Sequence, residues 1–167
     1  MEIEHLIKAF LSLIQFLFVL LTTALVGNVM ANNISGSQSA INFVMFVCAV
    51  SWLFVLYDHA SRFFPRVAIP IVILVLDSLA TLFTFIAAIV FSAKIQAVNC
   101  SNIGNKPSDY IAYGSEDNEK RCREIQASTV FLWFLFAAFA ASLFFNIREI
   151  RRHNGSIRGP NMSQIGV

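Results

Sequence analysis

Hydrophobic positions in this chain are continuous rather than periodic. They fall into four runs, residues 6–27, 41–57, 67–91 and 127–147, which take up about half of the 167 residues. Lys8 and Asp77 are the sole formal charges inside them. A bilayer has a hydrocarbon core roughly 30 Å thick, and a helix rising about 1.5 Å per residue needs about 20 apolar residues to cross it. Lipid admits only structures that satisfy their own backbone, helices or closed barrels. The pattern predicts an all-α integral membrane four-helix bundle. The four spans make up one domain, residues 1–150, followed by a basic tail, residues 151–167.

The first run is about twice the ~7–15 apolar residues of a signal-peptide core, and it follows an acidic start, Met1-Glu2-Ile3-Glu4. It reads as a retained helix. Hydrophobic residues make up 57% and charged residues 13%, about half the charged share of a soluble domain. Phenylalanine occurs seventeen times, mostly inside the runs. Such rigid aromatic bulk suits packing between helices and against lipid tails, and it does not point to a cofactor.

Charge sets the expected orientation. With four spans both termini share a side with the connection at residues 58–66. That side gathers Lys8, Arg62, Arg66, Arg148, Arg151, Arg152 and Arg158. The opposite side has no Lys or Arg in its short loop, residues 28–40, and five in its long loop, residues 92–126. Because short cytoplasmic flanks are positive, both termini are expected in the cytosol. Lys120, Arg121 and Arg123, close to the fourth span, argue the other way.

Cys100 and Cys122 stand near the two ends of the long loop, and Cys48 lies within the second run. In an oxidising compartment the loop pair would most simply form a disulfide; with the reverse topology both would be free thiols. Neither C-x-x-C spacing nor a nearby histidine suggests a metal. Asn33 and Asn99 begin glycosylation sequons on the expected outer side, very near the membrane. Asn154 and Asn161 begin two more on the inner side.

Asp77 is the sharpest single signal. An ionised carboxylate inside a span costs at least about 2.5–3.5 kcal/mol on insertion scales, so it should face the bundle interior. At helical spacing Ile73, Leu74, Asp77, Ala80, Thr81, Thr84 and Ala88 share one face, small and polar from Asp77 onward. Gln15 lies at a similar depth in the first run, and an Asp77–Gln15 hydrogen bond is expected. The intramembrane polar set is thus Asp77, Gln15, Thr81 and Thr84. Two readings stay open: a satisfied interhelical clasp, or a functional carboxylate that carries protons, meets lipid headgroups or switches conformation.

His5, His59 and His153 show no nucleophile or metal spacing, so no catalytic residue, cofactor or metal is expected. Transport would call for broken helices or paired repeats, and the runs show neither. The arginines at 148, 151, 152 and 158 are candidates for anionic inner-leaflet headgroups, each worth on the order of 1 kcal/mol near such a surface. Ala137 and Ala141 form a small-xxx-small pair suited to close approach within or between subunits, which leaves a homo-oligomer open. No feature suggests nucleic acid.

Several segments together resemble a known family. The four-span plan with a short first outer loop resembles the MARVEL domain. The segment Ile41-Asn42-Phe43-Val44-Met45-Phe46-Val47-Cys48-Ala49 is similar to the second span of fungal non-classical protein export proteins. Leu76-Asp77-Ser78-Leu79 and Leu82-Phe83-Thr84-Phe85 resemble their third span. Cys100-Ser101-Asn102, Gly114-Ser115 and Arg121-Cys122-Arg123-Glu124-Ile125-Gln126-Ala127 resemble the outer loop and the entry to the fourth. The resemblance implies plasma-membrane residence in eisosome-type microdomains, sphingolipid and microdomain proteins as partners, and an influence on export of proteins lacking signal peptides. By the family motif, Asp77, Cys100 and Cys122 carry over most readily; the short tail departs from the pattern.

The expected function is therefore a non-enzymatic organiser of plasma-membrane microdomains. Two alternatives stand beside it: a small oligomeric channel or transporter using Asp77, and an adaptor that binds export cargo through the outer loop.

Overall fold

A computed structural model describes residues 2–36, 38–64 and 69–156. Four helices follow in order: α1 (Glu2–Ala31), α2 (Ser39–Phe63), α3 (Pro70–Ile95) and α4 (Asn118–Ser156). All four are long and apolar enough to cross a membrane, and no strand occurs among the described residues. The chain is an all-α membrane four-helix bundle. Arg158 and the rest of the tail beyond residue 156 lie outside the described residues, as does the expected start of the third span at 67.

The helices form a ring in which each touches its sequence neighbours and α4 closes onto α1; α1 and α3 sit on one diagonal. Both ends of the described chain therefore meet at one end of the bundle, where Lys8 of α1 is ion-paired to Glu149 of α4.

Packing differs from that of a soluble protein chiefly on the outside, where large apolar side chains are exposed. Small and polar side chains, Ser12, Thr22, Ser51, Ala80, Thr84, Ala87, Ala88 and Ser128, share the interior with buried Val19, Ile41, Val44, Ile125, Leu132 and Leu135. Large apolar side chains such as Leu6, Phe10, Leu53, Ile71, Leu82 and Phe134 face outward. Lipid is as apolar as leucine, so nothing drives the large residues inward, while small ones let backbones approach. Phe91 and Phe139 are the largest fully buried side chains, one in the loop-end half of the core and one in the terminal-end half. Ala137 faces outward, whereas its neighbour Ala138 is buried.

All four helices pass at least one end of their apolar runs. α2 continues to Phe63 and α4 begins at Asn118 and reaches Ser156, because hydropathy ends at the bilayer edge while backbone hydrogen bonding does not. The start of α4 is capped by Asp117, whose Oδ1 accepts from the Lys120 N–H at 2.9 Å; a carboxylate there also suits the positive helix end. α3 starts at Pro70, whose missing N–H costs nothing in the first turn.

Candidate functional site

Asp77 is the eighth residue of α3, so it lies in the third of the helix nearest the terminal end rather than at mid-span. It is 6% exposed. Its Oδ2 accepts from Asn146 Nδ2 at 2.6 Å and from Ser142 Oγ at 3.3 Å, both on α4. Asn146 and Ser142 are one helical turn apart, which lets both point at a single carboxylate oxygen.

The expected bond to Gln15 is absent. Gln15 is buried, and its Nε2 donates instead to the Ala138 carbonyl of α4 at 3.2 Å. The reason is topological: α1 and α3 are diagonal, so a side chain from one meets α4 before it meets the other. Ala138 also lies one to two turns above the level of Ser142 and Asn146. Thr81 and Thr84 share the Asp77 face but turn back on their own helix, donating to the Asp77 and Ala80 carbonyls at 2.7 Å each. Such back-bonding satisfies a hydroxyl in lipid without a partner helix.

Below Asp77, toward the terminal end, a second polar layer joins α1 to α2. Ser12 Oγ donates to Asp58 Oδ2 at 2.7 Å and lies 3.2 Å from His59 Nδ1. Arg62 pairs with Asp58 and also donates to the Lys8 carbonyl at 3.0 Å. A serine, a histidine and an aspartate thus sit together, but not in the order of a charge-relay triad. His59 Nδ1 lies 2.9 Å from the Val55 carbonyl, which only accepts, so that nitrogen carries a proton. It cannot take one from Ser12, whose hydroxyl is already committed to Asp58. The cluster ties α1 to α2 and is not arranged as a charge-relay triad. Among the described residues no three His, Cys, Asp or Glu side chains gather as a metal site.

At the opposite end the two loops fold into a cap. A disulfide joins Cys100 to Cys122 with Cα atoms 5.6 Å apart, fastening the long loop to the first turns of α4. Gln126 Nε2 donates to the Val98 carbonyl at 2.8 Å beside it. The Tyr110 hydroxyl donates to the Ile95 carbonyl at the end of α3. Burial, and secondarily the neighbouring Tyr113, raise the Tyr110 phenol above its ordinary pKa.

Arg121 locks the two loops together. It is 2% exposed, and it donates to the Ile111 carbonyl at 3.0 Å, to Asn33 Oδ1 at 2.7 Å and to the Val29 carbonyl at 3.5 Å. Alongside, the Ile34 N–H donates to the Gly114 carbonyl at 2.7 Å. Gly114 adopts φ +99°, and a Cβ there would stand 2.1 Å from the Gly36 nitrogen; one on Gly36 would stand 2.1 Å from the Tyr113 carbonyl oxygen. Only paired glycines permit this approach. Asn33 spends its side-chain oxygen on Arg121, whereas Asn99 is exposed and caps a turn by accepting from the Ser101 N–H.

Residues 5–145 match the family model described as MARVEL, membrane-associating domain. The chain belongs to the MARVEL family, among the fungal non-classical export proteins. It is similar to Non-classical export protein 2 of Saccharomyces cerevisiae, at 31% identity covering 93% of this chain and 95% of that one. It is also similar to Non-classical export protein 102 of Candida albicans, at 36% identity covering 79% and 76%. No solved structure matches it.

This MARVEL bundle contains functional-site geometry that sequence reasoning missed. Asn146 and Ser142 went unnoticed as partners of Asp77, although two polar residues spaced by four in an apolar run are a readable signal. Arg121 offered less: an arginine among Lys120 and Arg123 looks like a solvated charge, and only the tertiary fold buries it.

Proposed function

We propose that this multi-pass membrane protein is a non-enzymatic organiser of plasma-membrane microdomains of the eisosome type, with both termini in the cytosol. It responds to sphingolipid status and thereby affects where other membrane proteins reside and how proteins without signal peptides are exported. The observation that carries the reading is the bundle's outward face of large exposed apolar side chains. The bundle's polar side chains are spent on holding helices together, and its outward face is a rigid apolar surface rich in phenylalanine. A protein built this way has its functional surface toward lipid, where large flat side chains discriminate loosely from tightly packed chains. The names of its relatives, which refer to non-classical export, support the export part of the proposal. Its partners are membrane lipids, sphingolipid among them, and other microdomain proteins. The disulfide-bonded cap supports placing that end outside the cell, and Lys8, Arg62, Arg148, Arg151 and Arg152 at the other end support a cytosolic one.

Asp77, held by Asn146 and Ser142, favours this scaffold reading over a channel or transporter, which would need that carboxylate open to a permeant. The test is imaging of the tagged protein in living cells before and after sphingolipid synthesis is blocked. Patches that dissolve or relocate are expected; a uniform, unchanged rim overturns the proposal. Flux through liposomes that depends on Asp77 would favour transport instead.

A further inference from the structure

The inner end of α4 carries an exposed surface that is apolar on one side and basic on the other. The apolar run 127–147 is 21 residues long, about 31 Å of helix, which fills a hydrocarbon core by itself. Arg148 is therefore the first residue beyond the core, at headgroup depth, and Arg151 stands one turn further out. Phe144, Ile147, Arg148, Arg151 and Arg152 line a groove of about 320 Å³. Their spacings of three and four place them on one face of the helix. Phe144 and Ile147 are exposed on the membrane side, and Arg148 and Arg151 are exposed beyond them. The single acid of this stretch, Glu149, lies off this face and reaches across to Lys8 of α1. Apolar below and cationic above is the complement of a phospholipid, whose phosphate sits at the depth of Arg148 and whose chains run down past Phe144. Two guanidiniums a turn apart also suit phosphate oxygens, which accept paired N–H donors.

We propose that the groove of Phe144, Ile147, Arg148 and Arg151 binds one anionic phospholipid of the adjacent leaflet. The phosphate lies between the two guanidiniums and an acyl chain against the two apolar side chains. The inference uses the depth and charge of α4 alone and does not rest on the microdomain reading. It narrows the general attraction of a basic tail to a single site that needs both halves of the lipid.

The full-length protein in detergent micelles is titrated with dioleoylphosphatidylserine or dioleoylphosphatidylcholine, and retained lipids are counted by native mass spectrometry. One phosphatidylserine is expected to be retained at about tenfold or more lower concentration than phosphatidylcholine, since a basic residue near an anionic headgroup contributes about fivefold. R148Q/R151Q is expected to abolish that preference. K94Q/R123Q, with charges removed at the opposite end of the bundle, is expected to leave it intact. F144S/I147S is expected to weaken retention of phosphatidylserine several-fold. Preference that survives R148Q/R151Q overturns the proposal. So does water-soluble glycerophosphoserine competing as well as the intact lipid, since the groove would then read a soluble anion and not a membrane component. The substituted residues are exposed on one helix face, and retained helical circular dichroism separates loss of the site from loss of the fold.

Discussion

Asn146 donates to Asp77 across 2.6 Å, and that bond ties α4 to α3 at a depth where their contact is otherwise built from small and apolar side chains. Interhelical hydrogen bonds of this kind are worth about 0.6 kcal/mol on average and up to about 1.7 kcal/mol in membrane proteins. Asp77→Asn keeps an acceptor of the same shape and is expected to change stability by less than about 1 kcal/mol. Asp77→Ala or Asn146→Ala leaves a buried polar partner unanswered and is expected to cost about 1–2 kcal/mol. Cys48 provides the measurement, since its thiol is free and fully buried. Its reaction with a maleimide dye on heating in detergent reports opening of the bundle. An Asp77→Asn variant as unstable as Asp77→Ala would show that the ionised carboxylate itself holds the helices.

Arg121 is expected to matter more for stability than any other arginine described. It is a buried cation that satisfies carbonyls from two loops and the end of α1. Arg121→Gln leaves some of those acceptors without a donor and is expected to cost about 2–3 kcal/mol. Arg123→Gln, on an exposed pair with Glu119, is expected to cost well under about 1 kcal/mol. The same thermal thiol assay ranks the two; equal effects would mean that burial of Arg121 contributes nothing.

How much of this was legible beforehand depends on the range of the interaction. The number of helices followed from four long apolar runs, and the inward turn of Asp77 followed from the cost of a carboxylate in lipid. The partner of Gln15 did not, because hydropathy fixes depth but not which helix stands next to which. Depth alone would allow α1 to meet α3, and the ring places α4 between them. The extensions of α2 and α4 were invisible for a related reason, since a polar helix outside the membrane has no apolar run to mark it. The Gly36–Gly114 approach joins residues far apart in sequence, and nothing local announces it.

That approach yields its own prediction. Gly114→Ala forces an L side chain into φ +99° and drives its Cβ into Gly36; Gly36→Ala drives one into the Tyr113 carbonyl. Strain at such a position costs of order 1–3 kcal/mol, and the overlap adds to it. Either change is expected to part the loops and to raise hydrogen exchange at the Ile34 amide, which bonds to Gly114. Gly104→Ala is the control, because a Cβ there meets nothing within 4 Å. Unchanged exchange in Gly114→Ala would sink the account of the cap.

Tyr110 makes the cap sensitive to alkali. Its phenol pKa is raised by burial and by Tyr113, so the folded state holds that proton more tightly than the unfolded chain does. The contribution is complete below the unfolded value of about 10 and is lost as pH rises from there through the higher folded value. Loosening of residues 96–117, read by hydrogen exchange between about pH 9 and 11, is expected in the wild type. Tyr110→Phe lacks the titrating group and is expected to show less pH dependence, though from a lower starting stability because the Ile95 carbonyl loses its donor.

The disulfide tests the stability of the cap, and the loop it closes tests its sidedness. Closing a loop of this length, with 22 residues of separation, contributes about 3 kcal/mol in the chain-entropy description. Cys100→Ser/Cys122→Ser is therefore expected to lower the stability of the bundle by a similar amount and to increase exchange through residues 96–117. In intact cells an impermeant maleimide is expected to label a cysteine introduced at the exposed loop residue Ser108, while Cys48 stays protected in the core. Labelling that requires permeabilised cells would place the cap in the cytosol. The bundle geometry would survive that result. The orientation and the cytosolic assignment of Arg148 and Arg151 would not, because the charges at the two ends of the bundle would then have to be exchanged between leaflets.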